Sequence, residues 1–188
     1  EKEIALVNSL LNISRIESGR IIIEPVPTQI NSLIEEVVSS QKVPSDTKKL
    51  TISQEFDNTL PEISLDTKLM REIVTNLLTN AIKYTPENGT ITIKTAQNEK
   101  NITLSVSDTG YGIPEKEQKR IFERFFRASN ITKVVTDGSG LGLYLVKKIL
   151  DASGGTIKLE SKENFGTTFT ITLPKKGMEK KKGETTLT

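Results

Sequence analysis

The 188-residue chain is 35% hydrophobic and 27% charged, the make-up of an ordinary soluble globular protein with room for one medium domain and an appendage. It holds no cysteine and no histidine, which excludes disulfides, thiolate or imidazole metal sites and imidazole general bases. The formal charge of +2 divides into +3 on residues 175–188, where five lysines meet two glutamates, and −1 on the rest. The basicity therefore belongs to an expected disordered, solubilising tail, and the body lacks the basic, aromatic-interleaved surface of a nucleic-acid binder. No apolar run approaches the roughly 18 residues of a membrane span, so no membrane contact is expected, and the start shows no signal-peptide pattern. Beginning on Glu1, the chain reads as a piece of something longer.

In chain order, residues 1–18 carry Ile4, Val7, Leu10, Leu11 and Ile13 or Ser14 at helical spacing, a stripe that needs another helix to bury it, and Gly19 is the expected C-terminal cap. RIIIEPVPTQI, β-branched with two prolines, predicts an edge strand. NSLIEEVVSS predicts a helix capped by Asn31 or Thr28, and LTISQEF alternates as a strand. Asp66 is the expected N-cap of a helix whose stripe is Leu69, Ile73, Leu77, Leu78 and Ile82. TITIKTA and NITLSVSD are alternating strands joined near QNEK, and a short helix is expected around EKEQKRIFERFF. SNITKVVTDGSG is a loop, LGLYLVKKILDASG a helix ended by Gly154, and TIKLESK with GTTFTITLP a final strand pair. Helices interleaved with mostly antiparallel pairs predict an α/β fold: a two-layer sandwich of a mixed, mostly antiparallel sheet with about three helices on one face, preceded by a short helix.

Three stretches suggest chemistry. In GSGLGLYLVKK, Gly138, Gly140 and Gly142 run into a helix start, as a backbone does where it must approach phosphate. The order is G-x-G-x-G after a polar loop, which is not the dinucleotide fingerprint, and no Walker Gly-Lys-Ser or Gly-Lys-Thr occurs. In NLLTNAIKYT, Asn76 and Asn80 share a helix face with Lys83 following, and in DTGYGIP the acid Asp108 ends a strand before Gly110 and Gly112. Each also has a plain reading: a turn, a solvent-facing polar pair, a strand-to-loop corner.

Taken in order, NLLTNAIKYT, DTGYGIP, IFERFFR, DGSGLGL and GTTF resemble the N box, first glycine box, F box, second glycine box and third glycine box of Bergerat-fold (GHKL-type) ATP-binding domains, most closely the catalytic domain of bacterial sensor histidine kinases. The resemblance implies residues 19–174 as the catalytic domain, residues 1–18 as the end of the second helix of a dimerisation and phosphoacceptor hairpin, and 175–188 as the tail. It implies ATP and Mg²⁺ as cofactors. Asp108 would accept from the adenine amine, with Thr167 in support and Gly110 and Gly112 letting the backbone pass close to the base. Tyr84 would pack on base or ribose, and Asn80 would be the Mg²⁺ ligand, with Asn76 joining it. Lys83 would offset phosphate charge. Arg124 or Arg127 would reach the γ-phosphate, unless the F box merely anchors the lid by burying Phe122, Phe125 and Phe126. Gly138, Gly140 and Gly142 would supply amides under the phosphates, Ile113, Leu141 and Leu143 would complete the nucleotide contacts, and residues 128–137 would form a lid.

Related ATPases of the gyrase, mismatch-repair and chaperone kinds carry a water-activating Glu where Asn76 stands, and an amide is a poor base, with Glu72 a remote substitute. The resemblance thus implies γ-phosphoryl transfer to a protein histidine and slow hydrolysis. With no histidine the chain lacks the acceptor, which must lie on a hairpin elsewhere; the resemblance implies a cytoplasmic domain of a homodimeric parent, with or without a membrane anchor, whose next partner is a response regulator. Other readings are a Bergerat-fold docking module and a serine kinase of the anti-sigma-factor kind.

Overall fold

The structure is a computed structural model and describes residues 2–132 and 138–183. Helix α1 (Lys2–Glu17) ends where Gly19 turns left-handed at φ +70°, its amide bonded to Ile16 O and that of Arg20 to Arg15 O. Ile13 is buried against the rest of the molecule, while Val7, Leu10 and Leu11 stay exposed. Two short strands follow, β1 (Ile22–Ile23) and β2 (Val26–Thr28), then helices α2 (Ile30–Ser40) and α3 (Lys42–Thr47). Neither expected residue caps α2. Gln29 occupies the cap position but gives its side chain to Leu60 O rather than to the helix, Thr28 turns its hydroxyl to Val26 O, and Asn31 donates to Asp57 O and accepts from the Thr95 hydroxyl.

Strand β3 (Thr51–Glu55) and the short β4 (Ile63–Leu65) lead into helix α4 (Thr67–Tyr84). Asp66 caps α4 as its position before the apolar stripe predicts: Oδ1 accepts the amides of Lys68 and Leu69, both at 3.1 Å. Strands β5 (Thr90–Gln97) and β6 (Asn101–Asp108) form a hairpin whose turn is tied by Asn98 Oδ1 to the amides of Lys100 and Asn101. Helix α5 (Ser129–Thr132), helix α6 (Gly142–Ser153) and strands β7 (Thr156–Lys162), β8 (Gly166–Pro174) and β9 (Lys181–Lys182) complete the chain.

The main sheet runs β3-β5-β6-β8-β7, parallel between β3 and β5 and antiparallel elsewhere. Alternation sends Ile91, Ile93, Leu104, Val106, Ile171 and Leu173 to one face, where α4 and α6 cover them, with α2 packed on α4. The opposite face carries a ladder of Ser and Thr, including Ser107 and Thr168 bonded at 2.8 Å. This is the expected two-layer arrangement.

Three segments depart from the sequence reading, the shortest being SNIT at the start of the expected loop, which forms helix α5 (Ser129–Thr132). EKEQKRIFERFF is not a helix: a single 3₁₀ turn at Glu115–Glu117 gives way to irregular turns. Phe125 sits at φ +60°, a conformation no right-handed helix admits, and its amide bonds Gly140 O, so a tertiary contact overrides local propensity. The tail, expected to be disordered from residue 175, folds back through residue 183. Met178 is buried with its amide on Ser64 O, β9 pairs antiparallel with β1, and Lys181 reaches Ala152 O at the end of α6. One apolar residue, Met178, and a free strand edge suffice to order a segment that composition marks as solvated.

Candidate functional site

Helix α4 buries Ile73, Val74, Leu77 and Leu78 and so must present its polar positions elsewhere; Asn76, Asn80, Lys83 and Tyr84 form one wall of a cavity of about 240 Å³. Asp108 at the end of β6, Gly112 and Ile113 in the loop after it, and Thr167 on β8 form a second wall. Gly138, Gly140, Gly142 and Leu143 bring in the start of α6, and Arg127 closes the space from the F-box side. Residues distant in sequence thus meet in one space.

Asp108 stands where a strand runs into a glycine loop, so its carboxylate is largely enclosed. Burial pushes its pKa up to about 6, against the opposing hydrogen bonds from the amides of Gly110, at 2.8 Å, and Thr167. An ionised carboxylate there is a poorly solvated acceptor, which favours a ligand bringing N–H donors. The loop is shaped for close approach: Gly112, at φ +63°, lies so near Lys162 O that a Cβ would collide with it.

Around α4 and α6 the chemistry changes. Asn76 donates from Nδ2 to Glu72 O at 2.9 Å, which fixes its amide and aims Oδ1 at the first residue of α6. A Cβ added at Gly142 would sit 2.5 Å from that oxygen, so only glycine lets the two helices approach. The 12-residue α6 has no side-chain cap and no acid in its first turn, leaving the positive end of its dipole facing the cavity. Lys83 Nζ lies beside Gly138 and 5.3 Å from the Tyr84 ring centre. Burial raises the pKa of the Tyr84 phenol, while the hydrogen-bonded Arg127 guanidinium pulls it the other way. Cations and amides at this end suit an anion, and the carboxamide oxygens of Asn76 and Asn80 are hard donors of the kind Mg²⁺ accepts. Among the described residues no group of three acidic side chains could hold a metal alone, so a cation here would draw most of its ligands from phosphate and water.

Three expected site residues lie outside the cavity. Arg124 pairs with Glu17 of α1 and sits 5.0 Å from the ring centre of Tyr144, whose hydroxyl bonds the same Glu17, so Arg127 is the F-box arginine that faces the cavity. Gly110 packs under Tyr84 O and shapes the loop from behind, and Leu141 is buried as the backbone cap of α6. Phe122 and Phe126 pack half-buried against the core, but the Phe125 side chain is 63% exposed. Of the expected lid, residues 133–137 lie outside the described residues. Its stem is α5, where Ser129 gives both its amide and its hydroxyl to Glu117 and Asn130 donates to Gly112 O at 3.0 Å. Glu72 turns away from the cavity, accepts from Asn12 of α1, and has its pKa raised by burial.

The sequence reading missed Thr79, Ile121, Ile131, Ser139 and Phe169 among the lining residues, and Ser161 behind them. Ser161 left one signal: it is the polar member of the face that Ile157 and Leu159 turn toward the core.

Residues 65–177 match the family described as histidine kinase-, DNA gyrase B- and HSP90-like ATPases. The chain belongs to this ATPase family. Its relatives within the family include sensor kinases. It is 36% identical over 170 residues to the adaptive-response sensory kinase SasA of Synechocystis sp., covering 90% of this chain and 44% of SasA. Full-length ShkA, solved with AMPPNP, superposes with a TM-score of 0.81 at 27% identity over 95% of this chain and 36% of ShkA. The nucleotide-free catalytic domain of histidine kinase ThkA matches at TM-score 0.70 and 31% identity over 81% of this chain and 96% of its own, and ThkA bound to the response regulator TrrA at TM-score 0.74 and 28% identity over 93% and 48%. This ATPase fold is therefore that of a histidine kinase catalytic domain, and the chain spans less than half the length of SasA.

Proposed function

We propose that this domain binds Mg·ATP and passes the γ-phosphoryl group to a histidine on a helical hairpin outside the chain, for relay to a response regulator aspartate. The observation that carries the reading is the convergence of Asp108, Asn76, Asn80 and the start of α6 on one cavity. Asp108 would accept from the adenine amine. Asn80, with Asn76, would hold Mg²⁺, whose role is to neutralise charge on the phosphates. Lys83 and Arg127 would stabilise the charge of the transferred group.

The fate of that group follows from what surrounds it. Asn76 stands where a water-activating carboxylate would be needed, and Glu72 is engaged by Asn12 away from the cavity, so hydrolysis has no base among these residues. The chain holds no histidine, so the acceptor is external. Helix α1, with Val7, Leu10 and Leu11 exposed, fits the end of a hairpin helix that pairs with others in a homodimeric parent. No described helix is long and apolar enough to cross a membrane, and we place the domain in the cytoplasm, where ATP is supplied.

The test is incubation with γ-labelled Mg·ATP, alone and with a hairpin carrying the acceptor histidine. Acid-labile label on the hairpin and none on this chain is the expected result. Label on the chain, or rapid phosphate release without the hairpin, would contradict it.

A further inference from the structure

The hydroxyl of Ser161 stands behind the wall that Asp108 and Thr167 present to the cavity. Ser161 is opposite Thr167 in the β7–β8 register, as Thr167 is opposite Asp108 in the β8–β6 register. Its O–H donates to Gly166 O at 3.0 Å, while the hydroxyl oxygen accepts the amide of Ile113 at 2.9 Å and lies 2.9 Å from Thr167 Oγ1. A serine has a single hydroxyl hydrogen and a carbonyl can only accept, so with that hydrogen on Gly166 the one between the two hydroxyls comes from Thr167. Thr167, 7% exposed and lining the cavity, therefore keeps only lone pairs for a ligand.

We propose that Ser161 is a positioning residue that sets base specificity: by taking the Thr167 hydrogen it makes the wall a pair of acceptors, Asp108 and Thr167. Such a pair matches an exocyclic amine with two N–H groups and repels the carbonyl that hypoxanthine or guanine carries at the same position. Loss of the Ser161 hydroxyl leaves the strand in place, because Gln118 Nε2 holds Ser161 O at 2.9 Å and Ile113 O at 3.0 Å. The inference rests on the adenine-nucleotide reading above.

The experiment is calorimetric titration of the chain with ADP and with IDP, which differ at that one substituent of the base apart from the ring nitrogen beside it. The wild type should prefer ADP. Ser161→Ala frees the Thr167 hydrogen to donate to a carbonyl, and the ADP to IDP preference should fall by roughly fivefold or more. Ser161→Thr, which keeps a hydroxyl, should retain the wild-type ratio. Thr167→Val, which removes the second acceptor, should lower the ratio even if Ser161→Ala does not fold. Equal weakening of both nucleotides in Ser161→Ala, or an unchanged ratio in Thr167→Val, would reduce Ser161 to a structural residue. A folded wild type that binds neither nucleotide would overturn the adenine-site reading itself.

Discussion

Asp108 couples the site to stability, because enclosing a carboxylate to meet a ligand costs the unliganded protein. Its native pKa of about 6 exceeds the ordinary carboxylate value, so between roughly pH 4 and 6 the folded state binds more protons than the unfolded state. Stability contributed by this group is therefore greatest below that window and falls as pH rises through it. Asp108→Asn should remove this dependence: in urea titrations the variant should gain about 2 kcal/mol on the wild type between pH 4.5 and 7.5, while losing adenine nucleotide binding. A parallel pH profile for the two proteins would show that burial does not control this carboxyl. The two arginines divide similarly. Arg127→Ala should weaken ATP binding or transfer about tenfold or more, whereas Arg124→Ala should leave nucleotide affinity unchanged and instead loosen α1, read by amide exchange in residues 10–17. Asn80→Ala should abolish the Mg²⁺-dependent part of ATP affinity in a titration with and without the cation.

At the scale of elements, one residue joins α4 to the turn between β1 and β2. Asp66 caps α4 with Oδ1 and accepts the amide of Glu24 with Oδ2 at 2.9 Å, while Met178 packs beside it. Asp66→Ala should therefore cost about 2 kcal/mol in urea denaturation, more than an ordinary cap, with Asp66→Asn recovering part of it. What the sequence showed and hid divides along the same line. Helix α4 and strands β5, β6 and β8 were legible because each writes its own period and punctuation, and Asn76, Asn80 and Asp108 were legible as polar groups at the edges of those periods. The irregular F-box segment was not, because Phe125 is held by Gly140, and neither were β4 and β9, whose two or three residues owe their form to a partner strand. Ser161 was hidden for a related reason: its meaning lies in Thr167 and Ile113, which only the sheet brings to it.

At the scale of the whole molecule, helix α1 is set against the domain that holds the cavity. Asn12 on Glu72 and Glu17 on Arg124 and Tyr144 seat α1 against α4, the segment before α5, and α6, so this helix touches the same elements that surround the cavity. The absence of histidine means that no transfer assay on this chain alone can succeed, and the binding step carries the first test. That measurement is calorimetric titration of the chain with ADP and a non-hydrolysable ATP analogue, with and without Mg²⁺ and beside GTP. Adenine-selective binding near micromolar Kd, about −8 kcal/mol, with the ATP analogue tightened by Mg²⁺, is the expected outcome. A folded chain that binds neither adenine nucleotide, or binds GTP equally well, would contradict a catalytic ATP site built on Asp108 and Asn80.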